Sequence, residues 1–136
     1  MVIGVDFDGT CVTHEFPKIG QDIGAVPVLK ELVAQGHKLI LYTMRSNMAP
    51  KKQNTDDDGK YLDHAVEWFN QHEIPLYAIN QNPSQRRWTK SPKIYAHVYI
   101  DDAALGCPLI EDSDVSNRPF VDWEGVKDLL SQRGLL

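Results

Sequence analysis

The stretch Val2-Ile3-Gly4-Val5-Asp6-Phe7-Asp8-Gly9-Thr10 constrains this chain more than any other, because an apolar run there ends in two carboxylates, a glycine and a threonine. Val2, Ile3 and Val5 are β-branched, which suits a strand buried on both faces and flanked by helices. Asp6 and Asp8 fall at the strand's C-terminal end. Residues i and i+2 of an extended segment face one way, so both carboxylates are expected to address one spot while Phe7 turns into the core. Gly9 lets the backbone turn sharply. Carboxylates at the carboxyl end of a central parallel strand lie where open α/β sheets hold their ligands.

The rest of the chain supplies what such a strand needs. Residues 11–24 lack a clear period and read as a loop or small hairpin over the site. A first helix is expected from near Ala25, with Pro27 in its opening turn, Val28, Leu29, Leu32 and Val33 as its apolar stripe, and Gly36 ending it. Lys38 to Thr43 reads as a second buried strand, and the short link after a helix makes a right-handed βαβ crossover the default, hence a parallel sheet. Residues 44–58 form a long polar loop, of a length that is often functional. It ends in Asp56, Asp57 and Asp58, which read as helix-capping groups rather than a metal cluster. The helix that follows carries Leu62, Ala65, Val66 and Phe69 at helical spacing, flanked by Trp68.

Pro75 to Asn80 reads as a third, shorter strand. Gln81 to Lys93 is polar and holds Arg86, Arg87, Lys90 and Lys93 around Trp88. A basic run with an aromatic can track a nucleic-acid backbone, but a solvated loop is the simpler account of Arg86 and Arg87. Ile94 to Ile100 reads as a fourth strand and ends in Asp101-Asp102, repeating the opening pattern. In the remainder, a small strand at Pro108 to Ile110 precedes a last helix capped by Asp122, with Val126, Leu129 and Leu130 inward. Glu111, Asp112 and Asp114 read as solvated turn residues. Of the histidines, His97 reads as a strand residue, His14 as a loop position and His72 as helix surface.

Size and charge narrow the function. A chain of 136 residues fits one domain, residues 1–136, and a net charge of −5 argues against nonspecific binding of nucleic acid or anionic membrane. Cys11 and Cys107 form no ligand cluster, the pattern of a reducing compartment. With neither a charged-then-apolar leader nor a long apolar span, a cytoplasmic location follows by default. Three strand ends deliver Asp6 and Asp8, then Thr43, then Asp101 and Asp102, to one rim of a parallel sheet. So many carboxylates in one place repel one another unless a cation sits among them, and hard oxygen ligands without a His or Cys cluster favour Mg²⁺. A carboxylate beside such an ion can attack phosphorus, and a second carboxyl two residues on can move the proton.

These residues resemble a known family. Asp6-Phe7-Asp8-Gly9-Thr10 looks like the first motif of the haloacid dehalogenase (HAD) superfamily of phosphotransferases. Thr43 is similar to the second motif, Lys93 to the lysine of the third, and Asp101-Asp102 to the acidic fourth. The resemblance implies a three-layer, Rossmann-like α/β fold with a parallel sheet and helices on both faces, and a Mg²⁺-dependent phosphatase acting through an aspartyl phosphate. It implies Asp6 as nucleophile and metal ligand, and Asp8 as acid/base that offers its backbone carbonyl to the metal. Thr43 would bond the phosphoryl oxygens and Lys93 would neutralise them. Asp101 would bind the metal directly, with Asp102 a ligand through water or a partner of Lys93. The second Asp of the first motif marks phosphatases in this family, so dehalogenation is not expected.

Lys93 and Asp101 lie too close in sequence for the helix that larger members place between these motifs, so Lys90 competes for the phosphate-site role. Residues 11–24 and 81–92, where cap domains would insert, are short, which implies a capless member whose site is open to bulky substrates or closed by a neighbouring subunit. Gly9, Thr10, Arg45, Lys90, and Lys51 or Lys52 are the expected substrate contacts. The substrate expected is a small phosphomonoester. A phosphatase that processes nucleic-acid ends and a noncatalytic phospholigand-binding or regulatory module are the alternatives.

Overall fold

The computed structural model describes residues 1–49 and 57–136, so Lys51, Lys52 and Asp56 lie outside the described residues. Strand β1 (Val2–Val5) is central, with β2 (Lys38–Leu41) on one side and β4 (Val98–Ile100) on the other; β3 (Ala78–Ile79) pairs outside β2. Every pairing in this sheet is parallel, with Val5 opposite both Leu41 and Ile100. The chain is thus α/β with a four-stranded parallel sheet, as its alternating apolar runs and helical stripes require. Leu109–Ile110 (β5) and Phe120–Val121 (β6) form a separate antiparallel pair, of which β6 carries no signal in the sequence beyond two apolar residues.

Among the described residues, three α-helices pack on the sheet: α1 (Ala25–Ala34), α2 (Tyr61–Gln71) and α3 (Trp123–Gln132). All three contribute to one apolar core with Ile3, Val5, Leu39, Leu41 and Ile100, which strand alternation places on a single face. The expectation of α-helices on both faces is therefore corrected. The second face, carrying Gly4, Ile40 and Tyr99, is covered by residues 82–95, whose only helix is the short 3-10 segment Pro83–Arg87. Gln85 knits that cover together, accepting from the Tyr95 N–H at 2.7 Å and donating to the Ser91 and Lys93 carbonyls.

Several boundaries differ from the sequence reading for local reasons. The third strand is shorter than expected, and so is the fourth, where residues 94–97 bend back so that the Tyr99 hydroxyl donates to the Ile94 carbonyl. Asp57 and Asp58 do not cap α2. Asp57 and Asp58 accept from the Gly59 and Lys60 N–H groups two residues on, the local turn these side chains favour. The first turn of α2 is served from the preceding loop, where Asn47 Oδ1 accepts from the Asp63 N–H at 3.1 Å. Asp122 does cap α3, its carboxylate accepting from the Gly125 N–H. Val126 and Leu130 are buried as expected, but Leu129 is 44% exposed and lines an open groove beside β4. Among the described residues no helix is long and apolar enough to cross a membrane.

Candidate active site

Asp6 follows the last paired residue of β1 and points to the second face, the side on which Gly4 also lies. Asp101 and Asp102 follow β4 directly, so the parallel pairing delivers all three residues to one rim. Each offers a carboxylate oxygen, and these atoms lie within 4.8 Å of one another. Burial, then the charge of Asp101 and the hydrogen bond to Asp102, push the Asp6 carboxyl up to about 8, against the opposing pull of the Phe7 N–H and the Thr10 hydroxyl. Such crowding is what a divalent cation relieves, and a set of carboxylate oxygens is the donor chemistry Mg²⁺ takes.

The two aspartates of the fourth motif differ. Asp102 has both oxygens engaged: Oδ1 lies 3.2 Å from the Thr10 hydroxyl, and Oδ2 accepts from His14 Nε2 at 3.0 Å. Among the described residues the Asp101 carboxylate accepts only from the Ala103 N–H, and it faces an open cleft, so it is the better placed for direct coordination beside Asp6. Asp102 makes no ion pair with Lys93 among the described residues. Of the two roles expected for Asp102, ligand through water or partner of Lys93, the second is taken by His14, a loop residue that nothing in the sequence marked.

Asp8 is not among the carboxylates that meet within 4.8 Å of one another. Paired β structure ends at Val5, and the chain then turns as the Thr10 and Cys11 N–H groups donate to the Phe7 carbonyl. The Asp8 carboxylate is instead held by Arg45 in a two-point fork, Nε to Oδ2 at 2.7 Å and Nη2 to Oδ1 at 2.8 Å. Arg45 is 2% exposed, and its remaining N–H groups donate to the carbonyls of Pro17, Lys18 and Tyr61. Every donor of the guanidinium is spent, so Arg45 is not a substrate contact; it positions Asp8. The Asp8 carbonyl accepts no backbone hydrogen bond among the described residues.

Gly9 and Thr10 are corrected in the same way. Both are buried and their N–H groups donate to Val12 and Phe7 carbonyls, so neither has a donor for a ligand. The Thr10 hydroxyl lies 2.9 Å from Asp6 Oδ2 and accepts from the Asp102 N–H, and its carbonyl accepts from Trp123 Nε1. Thr10 therefore ties the first motif to the fourth. Thr43 is nearly buried two residues past β2, held by its N–H to Asn80 Oδ1 and by its Oγ1 accepting from the Arg45 N–H. Cys11 is fully buried and its thiol is pushed well above its ordinary range by burial and by Asp6 and Asp8, which makes it an unreactive core residue.

The cleft in front of Asp6 holds about 260 Å³ and is lined by Gly4, Asp6, Tyr42, Lys93, Tyr99 and Asp101, with Ala103 and Ala104 at its edge. Lys93 thus joins the carboxylates, whereas Lys90 lines a separate depression with Asn80 and Arg86. Tyr42 and Tyr99 escaped the sequence reading. Their signal was strand parity, since Tyr99 shares a face with Asp101 two residues on, and Tyr42 continues the register that aligns with Asp6.

No protein-family model matches this chain, and no curated protein matches it. The solved structure of a conserved protein coded by a locus of Bacteroides thetaiotaomicron is similar to it over 98% of this chain and 91% of that one, at 31% identity and a TM-score of 0.72. A likeness of that extent, in sequence and in fold together, means that this chain belongs to the same family as that conserved Bacteroides protein.

Proposed function

We propose that the protein is a HAD-type, Mg²⁺-dependent phosphatase that hydrolyses a small phosphomonoester through an aspartyl phosphate on Asp6. The observation that carries this reading is the meeting of Asp6, Asp101 and Asp102 within 4.8 Å, beside a cleft that Lys93 also lines. Mg²⁺ held by Asp6 and Asp101 would neutralise phosphoryl oxygens, the chemistry such ions supply in phosphoryl transfer.

The chain's own groups do the rest. A carboxylate oxygen of Asp6 attacks phosphorus, the ester P–O bond breaks, and the leaving oxygen takes a proton. Water then attacks the phosphorus of the acyl phosphate, restoring the Asp6 carboxylate and releasing inorganic phosphate. Lys93 supplies positive charge to the phosphoryl group, and Thr43 is close in sequence to the rim with its own hydroxyl proton still to donate. Asp8 is the acid/base, and because Arg45 occupies both its oxygens, each proton transfer there requires the fork to loosen. A small substrate is favoured over a polynucleotide end by the size of the cleft, and because Arg86 and Lys90 line a different depression.

The test is phosphate release from a panel of monoesters in Mg²⁺ and in EDTA, with Asp6→Asn and Lys93→Ala beside the wild type. Mg²⁺-dependent release that Asp6→Asn abolishes is expected. A wild type silent on every monoester would leave a noncatalytic phospholigand-binding module as the better account.

A further inference from the structure

The carboxylates occupy only one end of the cleft, and the rest of its wall is aromatic. Tyr42, just past β2, and Tyr99, on β4, flank β1 from either side, with ring centroids 6.2 Å apart. Between them β1 presents Gly4, where a Cβ would lie 3.1 Å from the Tyr99 ring, so the absence of a side chain there lets Tyr99 lean across the central strand. The Tyr99 ring is fixed in place, because its hydroxyl donates to the Ile94 carbonyl and accepts from the Ala96 N–H. Lys93 Nζ lies 5.8 Å from the same ring and has no carboxylate partner among the described residues. Ala103 and Ala104 keep the far side low.

We infer that this wall is a binding site for the leaving group, and that the substrate class is phosphomonoesters of small planar, ring-bearing alcohols. The inference rests on the phosphatase reading for the orientation of the ligand, with its phosphoryl group at Asp6 and Lys93 and its ring against Tyr42 and Tyr99. A fixed aromatic face costs little ordering on binding and rewards a flat partner with stacking area. A sugar or open-chain polyol would leave its hydroxyls against Gly4, Ala103 and Ala104, which offer no side-chain partner. The cleft volume of about 260 Å³ suits one ring and a phosphoryl group, below the usual range for drug-sized ligands.

The experiment uses two ligands that cannot be hydrolysed, phenylphosphonate and ethylphosphonate, titrated calorimetrically into the full chain with Mg²⁺. Phenylphosphonate is expected to bind about tenfold more tightly, in line with the worth of an aromatic contact. Tyr42→Leu should reduce that ratio to about twofold or less, while Tyr42→Phe keeps it. Tyr42 is the substitution of choice because Tyr99 also braces residues 94–96; Tyr99→Phe, which loses only the brace, is the second variant. Equal affinities, a preference for ethylphosphonate, or a preference that survives Tyr42→Leu would overturn the inference, and so would a failure of both ligands to bind. Hydrolysis of phenyl phosphate is measured separately. A phenyl preference in a chain that releases phosphate from none of the monoesters would refute the phosphatase reading and leave the aromatic site standing, whereas turnover without a preference would do the reverse.

Discussion

Replacing Arg45 by methionine removes a guanidinium that five acceptor contacts hold in the interior. Asp8 accepts from it at 2.7 and 2.8 Å, the Lys18 carbonyl at 2.8 Å, and the Pro17 and Tyr61 carbonyls at 3.2 Å each. It also lies about 5 Å from the rings of Phe7 and Phe16, on which its plane adds cation-π contact. Methionine refills part of the volume but none of the hydrogen bonds, and Asp8, with a side chain 19% exposed, keeps a charge without a partner. Breaking a buried ion pair from one side costs about 3–5 kcal/mol, and the partial access of water to Asp8 favours the lower end, about 3 kcal/mol. For a chain of this size that corresponds to a fall in Tm of about 10 °C. Equilibrium urea unfolding and thermal melts of wild type, Arg45→Met, Asp8→Asn and the double variant measure it. The double variant should lose clearly less than the sum of the singles, since once one partner is gone removing the other relieves an unpaired charge. Arg45→Lys should recover only part of the loss, because an ammonium cannot reproduce the fork. A change below about 0.5 kcal/mol in Arg45→Met, or strictly additive singles, would refute the role assigned to this pair.

The remaining expectations concern the carboxylates and the elements that hold them. Asp6 keeps its proton in the folded chain up to about pH 8, whereas an unfolded aspartate releases it near 3.8, so the folded state binds more protons across that window. Stability without metal should be greatest at the acid end of the window and fall as pH rises through it; melts in EDTA that rise between pH 5 and 8 would contradict this. For the same reason Mg²⁺ binding at pH 7 should release protons, visible as a dependence of the calorimetric heat on the ionisation enthalpy of the buffer. Gly9→Ala places a Cβ 2.0 Å from His14 Nε2 and 2.8 Å from Asp102 Oδ2 at a φ of +79°, so it should displace His14 from Asp102 and weaken Mg²⁺ binding; unchanged Mg²⁺ affinity would count against that contact. Asp122→Ala removes the cap of α3 and should cost about 1 kcal/mol in urea unfolding, with Asp122→Asn costing much less.

Much of the site was readable in the chain because strands carry their own period. Asp6 and Asp101-Asp102 each follow a short apolar run, and parallel pairing needs only the order of those runs to bring them to one rim. The stripes of α1 and α2 and the cap of α3 are likewise local, written within a few residues of where they act. What failed did so where chain direction stops being periodic. Strand parity puts Asp8 on the side of Asp6, but β1 ends at Val5 and the turn that follows brings the Asp8 carboxylate to Arg45, a partner no spacing predicts. The aspartates before α2 looked like caps because composition does not say whether a side chain will bond its own turn first.

The sequence by itself determined that acidic strand ends would share the rim of a parallel α/β sheet, because alternation and strand order are properties of the chain alone. Only the tertiary structure decided which groups complete the site. Arg45 meets Asp8 across 37 residues, and His14 meets Asp102 across 88, separations for which no sequence spacing carries information. That Lys93 lines the cleft beside Asp6 while Lys90 lines a separate depression depends on how residues 82–95 fold over the second face of the sheet. That cover also leaves Tyr42 and Tyr99 open beside Asp6, because the helices had already taken the other face for the core.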